Sequence, residues 1–140
     1  MAVGNTFGAT ALSSYGGFWL SYGTLFHPYF DIFNSLHESG GKPAVLYTPS
    51  DRYSAVGFFL TGWFIFTTIL LLCTLRSTVM FFMLFFTLDL AFLFLACENY
   101  AANMGNKTAQ LGLQKAGGVF GMLAAFLAWY NALAGIQDNG

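Results

Sequence analysis

Long stretches without a charged residue dominate the chain and predict its secondary structure. Residues 1–30 carry no charge, and neither do residues 53–75 and 116–137. Residues 77–97 are interrupted by Asp89 alone. The hydrocarbon core of a bilayer is about 30 Å thick and needs roughly 20 helical residues to cross it. The pattern therefore predicts an all-α fold, a polytopic transmembrane helical bundle in one domain, with spans over residues 6–26, 53–75, 78–97 and 116–136.

The segments between the predicted spans are polar or contain residues that end a helix. The first span ends at His27-Pro28, because proline disfavours helical geometry in the residue before it. Residues 29–38 place three large apolar side chains on one side of a helix, which predicts a short helix lying in the membrane interface. Residues 98–115 predict a polar connector before the last span, and they include an Asn106-Lys107-Thr108 glycosylation sequon. Chance occurrence explains this sequon as readily as glycosylation of Asn106 does.

The first span combines hydroxyl groups and glycines without any charge, in the sequence GNTFGATALSSYGGFWLSYG. At 3.6 residues per turn, its small and hydroxyl side chains form one stripe and its aromatic side chains form a second. The hydroxyl stripe consists of Thr6, Thr10, Ser13, Gly17, Ser21 and Thr24, and the aromatic stripe of Phe7, Ala11, Tyr15, Phe18, Tyr22 and Phe26. Two interpretations stay open: the hydroxyls donate to carbonyls of their own helix, or they line a path for a polar solute.

The last span carries small residues at four-residue intervals, as Gly117-xxx-Gly121-xxx-Ala125. Small side chains at this spacing let helix backbones approach closely in a membrane. Similar spacings occur in the first span. We therefore predict a tightly packed bundle in which these glycines contact neighbouring helices.

Composition and charge exclude several classes of function. Only 8% of the residues are charged, against about 25% in soluble domains. The net charge is −1 without a basic cluster, so nucleic acid is not an expected partner. Cys73 and Cys97 lie in apolar spans and are predicted to be buried, and no metal-ligand spacing or other cofactor motif is present. No arrangement of catalytic residues supports an enzyme.

The glycine-rich first span resembles the third transmembrane helix of the acetate uptake transporter family, which includes bacterial succinate–acetate permeases and fungal acetate/ammonia transporter-like proteins. The resemblance continues with Cys73-Thr74-Leu75-Arg76, Ala96-Cys97-Glu98-Asn99 and Trp129-Tyr130-Asn131-Ala132. It covers nearly the whole chain. It implies six spans, of which this chain supplies the last four, and therefore a fragment of a longer protein.

The same resemblance implies a site and an assembly. Members of the family narrow their pore with an apolar constriction, to which Tyr15 and Leu88 correspond in this sequence. They are expected to assemble as homohexamers, each subunit with its own pore. The resemblance further implies transport of acetate and related short-chain monocarboxylates across a membrane that we expect to be the plasma membrane.

The residues themselves restrict how an anion could pass. No Lys or Arg lies within any predicted span, so hydroxyl and amide groups must replace the water around a carboxylate. The candidates are Asn5, Thr6, Thr10, Ser14 and Tyr15. Neutral donors hold an anion weakly, which suits conduction.

Asp89 is the one ionisable side chain deep within a span, and an intramembrane acid is a functional candidate by default. It supports either proton coupling, a structural hydrogen bond between helices, or a neutral protonated acid. Passive and proton-linked transport therefore both stay open. The alternatives to transport are a membrane sensor, an assembly subunit or an inactive fragment.

Overall fold

The structure is a computed structural model that describes residues 6–30 and 49–137. Within these residues it contains four α-helices and no strand, which confirms the predicted all-α fold. The residues form two compact units, one within residues 1–48 and the other within residues 49–140. The four helices are α1 (Thr6–Phe26), α2 (Pro49–Cys73), α3 (Val79–Asn103) and α4 (Lys107–Gln137).

Three of the helices are long and apolar enough to cross a membrane: α2 from Asp51 onward, α3 and α4. Helix α1 has 21 residues, a length of about 31 Å, but it is not among the three. Its role as a span stays a prediction. It ends at Phe26 as predicted, and the amide of Phe30 donates to the carbonyl of His27 in the turn that follows. Most of the predicted interfacial helix, residues 31–38, lies outside the described residues.

Helices α2 and α3 form an antiparallel pair joined by a short turn. Thr78 caps the start of α3, where its hydroxyl oxygen accepts a hydrogen bond from the amide of Phe81 at 3.3 Å. Between the two helices the rings of Trp63 and Phe92 stack with their centroids 6.5 Å apart. Leu60, three residues before Trp63, is completely buried, and Phe92 is buried as well. Apolar contacts thus supply much of the interface between α2 and α3.

Helices α3 and α4 form a second antiparallel pair. The rings of Phe94 and Phe120 stack with their centroids 5.4 Å apart. Near the other end, the Asn131 side chain donates to the carbonyl of Met80 at 3.3 Å. Helix α3 therefore has a neighbour on two sides, which explains why it contains more buried residues than any other described helix.

The predicted polar connector over residues 98–115 is wrong in extent. Helix α3 continues to Asn103 and α4 begins at Lys107, so only residues 104–106 connect them. Gly105 turns the chain with a φ of 72°, a conformation that glycine adopts without steric cost. The polar side chains of this region bond within and between the helices instead of forming a loop. The side-chain amide of Asn99, for example, donates to the carbonyl of Leu95 at 2.9 Å.

The prediction of close packing through the glycines of α4 is confirmed at one position only. A Cβ added at Gly117 would stand 2.9 Å from Cδ2 of Leu95, whereas one added at Gly121 would meet nothing within 4 Å. The predicted burial of both cysteines is also wrong: Cys97 is half-buried and Cys73 is exposed.

Candidate functional site

The two stripes predicted on α1 differ in their surroundings. Ala11 and Phe18 of the aromatic stripe are buried, each with 3% of its surface exposed. Phe18 stacks on Tyr22 at a centroid distance of 5.3 Å, and Tyr22 meets Phe26 edge-on at 4.9 Å. Most of the hydroxyl stripe is exposed in this unit, and the remaining member, Thr24, is half-buried. The aromatic stripe therefore forms the packed side of α1.

Three hydroxyls of the other stripe donate to carbonyls of their own helix, which is the first of the two interpretations drawn from the sequence. The Ser13 hydroxyl lies 2.7 Å from the carbonyl of Ala9, and the Thr24 hydroxyl lies 2.7 Å from that of Leu20. The Ser21 hydroxyl has the carbonyls of both Gly17 and Phe18 at 2.9 Å. These three hydroxyls are satisfied locally and do not need a solute.

The residues predicted to bind the solute are placed differently from one another. Thr6 and Thr10 are exposed on α1, and Ser14 and Tyr15 are half-buried. Asn5 lies outside the described residues. Their roles stay predictions.

Leu88 and Asp89 lie in the middle of α3. Leu88 is half-buried, whereas Asp89 has only 8% of its surface exposed. The hydroxyl of Thr68 on α2 lies 2.9 Å from Oδ1 of Asp89 and donates to it. The structure thus gives the intramembrane acid a hydrogen-bonding partner on the neighbouring helix. This is one of the roles that the sequence left open for Asp89.

Thr68, the partner of Asp89, is a candidate site residue that the sequence analysis did not identify. Its hydroxyl also lies 2.9 Å from the carbonyl of Phe64, one turn earlier in α2. A threonine in an apolar span carries no signal of its own, because bonding to the i−4 carbonyl is its ordinary behaviour. Thr68 and Asp89 are 21 positions apart, and only the packing of α2 on α3 brings them together.

A second carboxylate lies where α3 and α4 meet. Oε1 of Glu98 accepts a hydrogen bond from Nε2 of Gln110 at 3.1 Å, and Oε2 accepts one from the side-chain amide of Asn99 at 2.9 Å. Both oxygens of Glu98 therefore have neutral donors. Among the described residues no group of histidine, cysteine, aspartate and glutamate side chains could hold a metal ion.

A family model described as the GPR1/FUN34/yaaH family matches residues 1–140, the whole of the sequence. The chain belongs to the GPR1/FUN34/yaaH family. The resemblance to acetate uptake transporters stated from the sequence motifs is thereby confirmed. Together with the three apolar helices, membership of the GPR1/FUN34/yaaH family makes this a membrane protein.

Curated relatives match nearly all of the chain. Acetate permease A of Emericella nidulans is 55% identical over 140 residues, which are 99% of this chain and 45% of that protein. Ammonia transport outward protein 2 of Saccharomyces cerevisiae is 46% identical over 139 residues, 99% of this chain and 44% of the relative. The chain thus spans less than half the length of these two relatives. No solved structure matches it.

Proposed function

We propose that this chain is part of a protein that carries acetate and related short-chain monocarboxylates across a membrane. The observation that supports this most strongly is the 55% identity with a relative named acetate permease, which extends over nearly the whole chain. The relative's name describes transport and not catalysis. The composition agrees, since apolar helices with few ionisable side chains suit a solute path through lipid.

The solute would move past neutral donors. Residues 53–75 and 116–137 contain no charge, and residues 77–97 contain only Asp89. Without a fixed cation in these segments, a carboxylate would be held only by hydroxyl and amide groups, weakly enough to leave again. We propose Asn5, Thr6, Thr10 and Ser14 as such donors. Among them, Thr6, Thr10 and Ser14 are spaced four residues apart and lie on one side of α1.

The apolar constriction is proposed to involve Tyr15 and Leu88. A leucine at a narrow point sets the size of the solute that can pass, so Leu88→Ala should admit larger monocarboxylates. The expected result is a higher ratio of butyrate to acetate uptake than in the unchanged protein. Leu90→Ala is the matched control, because Leu90 is also half-buried on α3 and lies two positions further along. Equal ratios in both variants would remove Leu88 from the constriction.

Asp89 is proposed to couple a proton to transport. A buried carboxyl in an apolar span is held there at a cost, which favours a functional reason for its presence. Asp89→Asn keeps the shape and the hydrogen-bonding capacity of the side chain but cannot take up or release a proton at neutral pH. Uptake by this variant should lose part of its dependence on external pH. An unchanged pH profile would argue against coupling through Asp89.

Uptake of labelled acetate tests the transport proposal as a whole. The complete gene product is expressed in a host that lacks its own acetate transporters, and its location is followed in fractionated membranes. We expect saturable acetate uptake and a location in the plasma membrane. We further expect crosslinking to yield a homohexamer. Normal expression without any acetate uptake would favour a sensor or an assembly subunit.

Ammonia transport is a second candidate, because a relative with 46% identity is named an ammonia transport outward protein. Ammonia and a carboxylate require opposite handling of charge: one crosses as a neutral base or a cation, and the other as an anion or a neutral acid. Ammonia release from the same expressing cells distinguishes the two. Release that depends on the protein, without acetate uptake, would replace the first proposal.

A further inference from the structure

The hydroxyl of Thr68 has two acceptors at the same distance. Oδ1 of Asp89 and the carbonyl oxygen of Phe64 each lie 2.9 Å from Oγ1 of Thr68. A threonine hydroxyl carries one hydrogen and can also accept. The single hydroxyl hydrogen of Thr68 therefore cannot form a full hydrogen bond to both acceptors at once. Rotation of the hydroxyl directs it to one acceptor or to the other.

We propose that Thr68 is a positioning residue that allows Asp89 to gain and lose a proton without leaving a buried polar group unsatisfied. When Asp89 is ionised, the Thr68 hydroxyl donates to its carboxylate. When a proton from water or from the carried acid binds Asp89, an O–H bond forms on the carboxyl group and donates to Oγ1 of Thr68. The Thr68 hydrogen then turns to the carbonyl of Phe64.

Oδ1 of Asp89 and Oγ1 of Thr68 thus keep a hydrogen bond to each other in both protonation states, without a movement of either helix. This matters because a buried polar group without a partner costs about 1–3 kcal/mol, and more if it is charged. A proton could enter and leave Asp89 without that cost. The inference rests on the proposed proton-coupling role of Asp89 and identifies Thr68 as the hydrogen-bonding partner for that role.

No charged side chain competes for this role within the apolar segments of the helices that pack against α3, because Asp51 and Arg52 lie in the first turn of α2 and Lys107 and Lys115 lie in the first part of α4. Residues 53–75 of the α2 region and residues 116–137 of the α4 region contain none. The titratable side chains within these two segments are Tyr53, which is half-buried, and Cys73 and Tyr130, which are exposed. On α3 itself the other titratable side chains are Cys97, Glu98 and Tyr100, all at least two turns beyond Asp89. Among the described residues, Thr68 is the hydrogen-bonding partner that the structure shows for the Asp89 carboxyl group.

Thr61 provides a matched control, because it repeats the geometry of Thr68 two turns earlier on α2. Its hydroxyl lies 2.8 Å from the carbonyl of Gly57 and 2.9 Å from the hydroxyl of Tyr100 on α3. Both threonines are half-buried. They differ in the partner on α3, which is a carboxyl group for Thr68 and a phenol for Thr61.

The test is infrared titration of the whole protein in lipid nanodiscs. Asp89→Asn identifies the band of the protonated Asp89 carboxyl group by removing it. In Thr68→Val that band should persist to a pH about one unit higher, because the ionised carboxylate loses a stronger hydrogen bond than the neutral acid does. Thr68→Ser should restore the original midpoint, and Thr61→Val should leave it unchanged. Thr68→Ala is the second variant if valine prevents folding.

A midpoint in Thr68→Val and Thr68→Ala that matches the unchanged protein would overturn the inference. So would an equal shift in Thr61→Val, since the effect would then come from a loss of packing. The infrared band does not require transport. Failure of acetate uptake with the expected shift would therefore count against the proposed function alone, and normal uptake without the shift would count against the role of Thr68 alone.

Discussion

The ring of Tyr100 on α3 lies directly against Gly57 on α2, so closely that a Cβ added at Gly57 would stand 2.8 Å from Cε1 of the ring. This position lets the Tyr100 hydroxyl reach Oγ1 of Thr61 at 2.9 Å. Phe58 meets the same ring edge-on, with the centroids 6.2 Å apart. Because Gly57 has no side chain, the Tyr100 ring of α3 can pack against α2 and hydrogen-bond to Thr61.

Gly57→Ala should destabilise the protein, because the methyl group would displace Tyr100 and stretch its bond to Thr61. Overpacking of this kind costs about 1–3 kcal/mol. Thermal unfolding of the purified protein measures the effect as a lower Tm.

Gly62→Ala is the control for that substitution. Gly62 lies on the same helix, and a Cβ there would meet nothing within 4 Å. Alanine favours the helix over glycine by about 1 kcal/mol, so this variant should be as stable as the unchanged protein or more so. A loss of Tm in both variants would mean that the contact with Tyr100 is not the cause.

Gly117→Ala should also lower the Tm, whereas Gly121→Ala should not. The added Cβ at position 117 would meet Cγ and Cδ2 of Leu95 at 2.9 Å, while position 121 is open. Leucine has some freedom to move, so we expect a cost at the lower end of the range for overpacking, about 1 kcal/mol. Equal effects at the two positions would indicate that Gly121 contacts another copy of the chain in the assembled protein.

The sequence predicted the positions of the helices well and their contacts poorly. The C-terminal end of α1 follows from His27-Pro28, which is a local property of the sequence. The contacts of Gly117 and Gly121 could not be told apart, because both satisfy the same spacing and only the register between α3 and α4 distinguishes them. The partner of Asp89 was hidden for the same reason, since Thr68 lies on a different helix.

The end of α3 shows a different limit of the sequence analysis. The polar residues after Cys97 predict a connector because they interrupt an apolar pattern. They continue the helix because their side chains find partners there, Asn99 on the carbonyl of Leu95 and Glu98 on Gln110. An apolar pattern marks the part of a helix that fits lipid, and a helix can extend well beyond it.

The contact between Glu98 and Gln110 should stabilise the α3–α4 pair. Oε1 of Glu98 and Nε2 of Gln110 are 3.1 Å apart, and a hydrogen bond to a charged group contributes about 1.5–3 kcal/mol. Because both side chains are only half-buried, we expect a coupling energy nearer 1 kcal/mol. A double-mutant cycle of Glu98→Ala and Gln110→Ala, measured by unfolding, gives this energy directly. Additive effects of the two substitutions would show that the contact contributes nothing.

Asn106 should act as the N-cap of α4. Its side-chain oxygen accepts a hydrogen bond from the amide of Ala109 at 3.1 Å, and its own carbonyl accepts one from the amide of Gln110. Asn106→Ala should lower the stability by about 1 kcal/mol, and Asn106→Asp should preserve it. Thr108→Ala removes the glycosylation sequon without touching the cap. If the sequon is unused, this variant should match the unchanged protein in both Tm and electrophoretic mobility, and a gain in mobility would reveal a glycan.

The hydroxyls of α1 offer a comparison between neighbouring residues. The Ser13 hydroxyl is already bonded to its own helix, with the carbonyl of Ala9 at 2.7 Å. Ser13→Ala should therefore leave acetate uptake within about twofold of the unchanged protein, since no bond to the solute is lost. Ser14→Ala, at the next position, should reduce uptake at low acetate concentration by roughly tenfold if its hydroxyl holds the anion. Thr10→Val should do the same.

Initial rates of labelled acetate uptake, corrected for the amount of protein in the membrane, measure these effects. Each of the three substitutions removes one hydroxyl from the same helix. A general loss of stability would therefore lower the uptake rate of all three variants alike. A selective effect at Ser14 and Thr10 would indicate that the side of α1 on which these two residues lie meets the solute. The opposite order, with Ser13→Ala the most damaging, would contradict that assignment, because it would mean that the locally bonded hydroxyl turns to the solute during transport.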